Sequence, residues 1–139
     1  PRLEEGERLR LRTYLQNGGL LVASACCSSE GFDAGLCALI RAVLPNDRLE
    51  EVPENDPLWR MPNALRDKHP AVTKAYREQH GEAWPPLLGV RREGRWILIY
   101  SPVDLCCDLE GHLSDEIPAY RKESAVPILT NLFFSAFAP

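Results

Sequence analysis

The chain has 139 residues, of which 45% are hydrophobic and 26% charged, and a formal net charge of −4. That length suffices for one domain with a real core. Acidic and basic residues are mixed, so no basic stripe marks nucleic acid as a main partner. No apolar run approaches the roughly 20 residues of a membrane span, and no signal peptide is visible. The sequence opens at Pro1 rather than methionine, which fits an excised piece.

Taken in order, Glu5 to Asn17 has helical spacing at Leu11, Tyr14 and Leu15, and Gly18 stops it. Leu20 to Ala25 is a continuous apolar run, as a strand buried on both faces would be. Ser28 and Ser29 are placed to cap the next helix, and Glu30 and Asp33 suit its positive N-terminal end. That helix runs from about Gly31 to Leu44, with Phe32, Leu36, Ile40 and Val43 on one face. Leu49 to Val52 reads as a short edge strand. Pro53 to Trp84 is irregular and rich in proline; it reads as an insertion or cover, anchored by Trp59 and Trp84, with one short helix over 71–80. Pro86 to Ser101 is a hairpin turning at Glu93-Gly94, and its apolar second arm, Ile97 to Tyr100, predicts a central strand. A loop follows to Gly111. The stretch from Leu113 to Glu123 is polar and has no assigned element. Val126 to Phe137 reads as a helix with Leu129, Leu132, Phe133 and Phe137 facing the core and Asn131 capping a neighbouring backbone group. The order predicts a single three-layer α/β domain over 1–139 with a mostly parallel sheet.

Small polar residues at the carboxyl end of a strand are where sites gather in open α/β sheets. If Leu20–Ala25 and Ile97–Tyr100 are parallel neighbours, their ends bring Ser24, Cys26, Cys27, Ser28 and Asp33 near Ser101, Asp104, Cys106, Cys107, Asp108 and Glu110. Ser24, Ser28, Asp33, Ser101, Asp104 and Glu110 are the candidate ligand contacts. Asp104 also suits a turn cap.

Five cysteines include two adjacent pairs, Cys26-Cys27 and Cys106-Cys107, while Cys37 falls on the apolar side of a helix. Four readings of the pairs stay open. They are reduced packing thiols, a disulfide such as Cys27 to Cys107, a nucleophile at Cys26 or Cys27, or a metal site. The disulfide would close a loop of about 80 residues, worth around 4 kcal/mol in the chain-entropy picture. The nucleophile would draw on a helix N-terminus, but it lacks a glycine-flanked elbow, and His69, His80 and His112 have no evident position as its base. A metal is not expected, because the C-x₂-C spacing of zinc sites is absent, and no cofactor is expected either.

Four segments carry a resemblance: Leu11-Arg12-Thr13-Tyr14-Leu15-Gln16-Asn17-Gly18-Gly19; Ala25-Cys26-Cys27-Ser28 with Phe32-Asp33; Tyr100-Ser101-Pro102-Val103-Asp104-Leu105 with Cys107 and Glu110; and Asn131. In their order and spacing the chain resembles the bacterial domain of unknown function 4159 family. The resemblance implies a flavodoxin-like or class I glutamine amidotransferase-like fold, with a strand–helix portion preceding Pro1. It implies an exported protein, periplasmic or attached to a larger envelope protein. It brings no established activity. Asp56 stands where that family often has a histidine, and the cysteine elbow and late His-x-Glu pair of true amidotransferases are absent. The expectation is a non-catalytic amidotransferase-like module that binds a small ligand or a protein partner. A cysteine-dependent hydrolase or transferase and a disulfide-braced structural envelope domain are the alternatives.

Overall fold

The computed structural model describes residues 3–112 and 114–137. Leu113, where the unassigned polar stretch begins, lies outside them. The described residues form four α-helices, α1 (Glu5–Gln16), α2 (Glu30–Val43), α3 (Lys74–His80) and α4 (Lys122–Phe137). Four strands, β1 (Leu21–Ser24), β2 (Glu50–Glu51), β3 (Leu88–Arg92) and β4 (Arg95–Ser101), make one sheet in the order β1-β4-β3-β2. The fold is α/β, but the sheet is mixed rather than mostly parallel. Only β1 and β4 run parallel; β4–β3 and β3–β2 are antiparallel. The reason is local. A two-residue turn through Glu93 and Gly94, with φ of 51° and 79°, returns the chain directly beside itself, and only an antiparallel pair permits that.

β4 is the central strand, and its apolar run is buried on both faces. Trp96 and Ile99 pack with Trp59, Leu65, Tyr76, Tyr120, Ile128 and Leu132. Leu98 and Tyr100 pack with Leu15 of α1 and with Leu36, Ile40 and Val43 of α2. The predicted face of α2 is therefore the buried one, with Phe32 at its edge. The proline-rich stretch 53–84 supplies much of the first cluster, Trp59 being fully buried with Trp84 edge-on at 5.9 Å.

Two expectations about burial change. β1 is an edge strand, and Val22 is 40% exposed. Its apolar run is not doubly buried, because no described strand pairs with its outer side. α4 begins a turn earlier than expected, at Lys122, with Pro127 inside it. It buries Ala125, Ile128, Asn131 and Leu132, whereas Phe133 and Phe137 stay exposed. Those two rings touch at a tilt of 56°, with centroids 4.9 Å apart. They flank an apolar groove of about 580 Å³ between α4 and β1. Ser29 occupies the N-cap of α2, but its hydroxyl makes no capping bond.

Asn131, fully buried, ties the proline-rich stretch to α4. Its amide Nδ2 donates to the carbonyls of Leu58 and Asn63, and its Oδ1 accepts from the Asn63 backbone and side-chain N–H groups. Removing that side chain strands buried donors and acceptors, each costing on the order of 1–3 kcal/mol. Asn131→Ala is therefore expected to lose roughly 2–4 kcal/mol of unfolding free energy in a urea titration. A loss below about 1 kcal/mol would show that the network is dispensable.

Candidate functional site

Parallel pairing sets the site. Ser24 lies opposite Ser101, and the Ala25 N–H extends the ladder by donating to the Ser101 carbonyl at 3.0 Å. Both chains therefore leave the sheet at the same level. After Ala25 the chain makes a single tight turn over Cys26–Ser28, in which Cys27 and Ser28 take left-handed φ values of 53° and 51°. Two successive non-glycine residues in that region are costly unless the surroundings hold them.

What holds them is Asp104, in the loop after β4. Its carboxylate is fully buried. Oδ2 accepts the Cys27 N–H at 2.5 Å and the Cys107 thiol at 2.9 Å. Oδ1 accepts the N–H groups of Cys106 and Cys107 at 2.7 and 2.9 Å. The Asp104 carbonyl in turn accepts the Tyr120 N–H. A second clamp joins the loops where the Leu105 N–H donates to the Ser24 hydroxyl at 2.9 Å.

Around this carboxylate three thiols gather. Cys26 Sγ lies 3.8 Å from Cys27 Sγ and 4.0 Å from Cys107 Sγ. The three sulfurs and a carboxylate oxygen of Asp104 all fall within 4.8 Å of one another. Cys26 and Cys27 are exposed and Cys107 is half-buried, and all five cysteines are free thiols. The left-handed backbone at Cys27 is what turns two adjacent thiols to the same side. Across the loops Cys107 Sγ faces both Cys26 Sγ, at 4.0 Å, and Cys27 Sγ, within 4.8 Å.

The other sequence candidates have other roles. The Ser101 hydroxyl is buried and donates to the Val103 carbonyl; that of Ser28 donates to Pro118. Ser24 is occupied by Leu105. Glu110 is exposed, and its charge is one of the influences that raise the Cys106 pKa, after burial and Asp104. Asp33 is an exposed residue on α2, beside Tyr100. The Tyr100 hydroxyl is buried without a hydrogen bond of normal geometry, and burial, then the Asp33 carboxylate, push it well above the usual phenol range. Among the described residues no histidine joins the thiol cluster. His69 pairs with Glu82 and His80 lies against Tyr76. Asp56 is structural: it caps the turn at Pro57–Trp59 through the Leu58 N–H and accepts the Trp96 indole N–H.

The electrostatics favour an ionised Asp104 beside protonated Cys26 and Cys107 thiols. Burial works against its charge, yet the Cys107 thiol and amide and the Cys27 and Cys106 amides together hold its pKa below the usual carboxylate value. The same bond to Asp104, then burial, pushes Cys107 from 9.0 up to about 11. Cys26 is raised mainly by its contact with Cys27, with Cys107 pulling the other way.

With this geometry in view, the comparisons with known proteins are informative. The family model described as "Domain of unknown function (DUF4159)" matches residues 2–137. The chain belongs to that family. No curated protein matches it.

The Asp104 and Cys107 shifts act at opposite ends of the pH scale. Asp104 has a folded pKa below its unfolded one, so its contribution is complete above the ordinary value of 3.8 and is lost as pH falls through the lower folded value. Cys107 has a raised folded pKa, so its contribution is complete below 9.0 and is lost as pH rises through about 11. Urea midpoints against pH should fall at both ends in the parent chain. Asp104→Asn should be less stable by roughly 2–4 kcal/mol at neutral pH and should flatten both arms. Parallel curves for parent and variant would exclude Asp104 as the charged hub.

Proposed function

We propose that this domain is a non-catalytic, amidotransferase-like binding module whose ligand sits at the carboxyl ends of β1 and β4. The observation that carries this reading is the commitment of Asp104. A nucleophilic cysteine needs a lowered pKa or a base that takes its proton. Here the nearest carboxylate accepts the Cys107 thiol hydrogen while engaged by three backbone N–H groups, and it holds that thiol protonated. The cluster includes no histidine among the described residues. What the geometry offers instead is a rigid, surface-accessible group of soft donors, suited to holding a ligand or partner. The amidotransferase-like lineage rests on the resemblance, and the strand-end location on the general habit of open α/β sheets.

A second reading is favoured by one contact. Cys26 faces Cys107 across the two loops at 4.0 Å, so a small shift would allow a disulfide that braces the strand ends, as an exported, oxidising location would permit. Cys27, the partner expected from the sequence, lies within 4.8 Å of the same Cys107 sulfur.

Iodoacetamide kinetics on the reduced protein near neutral pH, with each alkylated residue identified by mass spectrometry, test the module reading. Cys26, Cys27 and Cys107 should react no faster than a free cysteine. One thiol reacting roughly tenfold faster or more would overturn the reading in favour of an enzyme with that cysteine as nucleophile. Non-reducing thiol titration addresses the brace: three free thiols with a Cys26–Cys107 link support it, and five exclude it.

A further inference from the structure

We infer that Cys26, Cys27, Cys107 and Asp104 form a binding site for one thiophilic divalent cation of the zinc type. The inference rests on the binding-module reading and names its ligand class.

The sulfur spacing fits a tetrahedral metal site. A zinc–sulfur bond of ~2.3 Å makes the sulfur–sulfur edge of a tetrahedral site ~3.8 Å long. The two close sulfur pairs here are 3.8 and 4.0 Å apart, one within a dipeptide and one across 81 residues. Neither distance is dictated by the sheet, and both match that edge without rearrangement. The sulfur–oxygen edge of such a site is ~3.5 Å. The Cys107 thiol now lies 2.9 Å from Asp104 Oδ2 because a proton joins them. Losing that proton would let the pair open by a few tenths of an ångström around a cation.

Three thiols and one carboxylate are a borderline-soft donor set. It suits zinc and its neighbours and is a poor match for calcium or magnesium, which take oxygen ligands in larger numbers. Binding would convert each coordinating thiol to a thiolate and discharge its proton to solvent, up to three per ion.

Asp104 Oδ1 is held by the N–H groups of Cys106 and Cys107, while Oδ2, which also accepts the Cys27 N–H, faces the Cys107 thiol. Ligands anchored this way are pre-aimed, and such outer bonds matter to affinity. Cys26 and Cys27 are exposed, so an ion can enter from solvent. The unusual backbone is also accounted for: the left-handed conformation at Cys27 and Ser28 turns adjacent thiols inward to one point. Adjacent cysteines in an extended strand would point to opposite faces. Cys37 and Cys106 fall outside the cluster and serve as controls.

The test uses the whole chain, reduced, metal-free and under argon, titrated with Co²⁺ and then with Zn²⁺. The expected result is one equivalent of Co²⁺, with thiolate-to-metal charge transfer in the near ultraviolet and intense visible bands of a tetrahedral centre, bleached by Zn²⁺. Cys26→Ser and Cys107→Ser should each weaken binding at least ~tenfold and diminish the charge-transfer band. Cys37→Ser should leave both unchanged. Cys26 is exposed, so its variant should keep the parent's thermal transition and carries the test if the Cys107 variant unfolds. Absence of the charge-transfer band, or binding indifferent to Cys26→Ser, would overturn the inference. The two readings fail separately. A metal-silent protein with slow thiols leaves a binding module with a different ligand. A fast-alkylating thiol overturns the module itself, whatever the metal does.

Discussion

Asp104 is fully buried and ionised, and donors from two separate loops converge on its carboxylate. A buried carboxylate survives only where hydrogen bonds replace the water it has lost. Here the bonds come from the turn after β1 and from the loop after β4, so satisfying one charge requires both strand ends to meet. The left-handed turn at Cys27 and the seat of Cys107 follow from that demand. The carboxylate thus organises the three thiols without being exposed itself.

The sheet makes this meeting possible. β4 is the hub of the fold, buried on both faces and paired parallel to β1 on one side and antiparallel to β3 on the other. One apolar face is closed by α1 and α2. The opposite face is closed by α4 with the proline-rich stretch, which replaces a regular helical layer. Asn131 locks that irregular cover through backbone groups that no helix or strand would otherwise satisfy. The thiol cluster therefore stands on a rigid platform, although the residues that carry it lie in loops.

Family membership and geometry speak to different things. The family match covers nearly the whole chain and fixes what this domain is related to. It brings no activity with it, so the functional argument rests on the site alone. Protonation decides what the site can do. Thiols kept neutral beside a committed carboxylate are poor nucleophiles but remain competent donors once a cation displaces their protons.

Local chemistry alone determined a good deal. The face of α2, the Glu93-Gly94 turn and the central position of β4 were legible because periodicity, turn residues and a long apolar run each act within a few residues. The family and the gathering of candidates at the strand ends were legible too. Other features needed the tertiary structure. The apolar run of β1 reads the same whether the strand is central or at an edge, and the four phenylalanines and leucines expected to line α4 split between core and solvent. Pro127 hid the first turn of that helix, since proline reads as a boundary. Above all, which cysteines meet was decided by backbone conformation. Left-handed φ at a cysteine has no local signature, because it is imposed by a carboxylate 77 residues away.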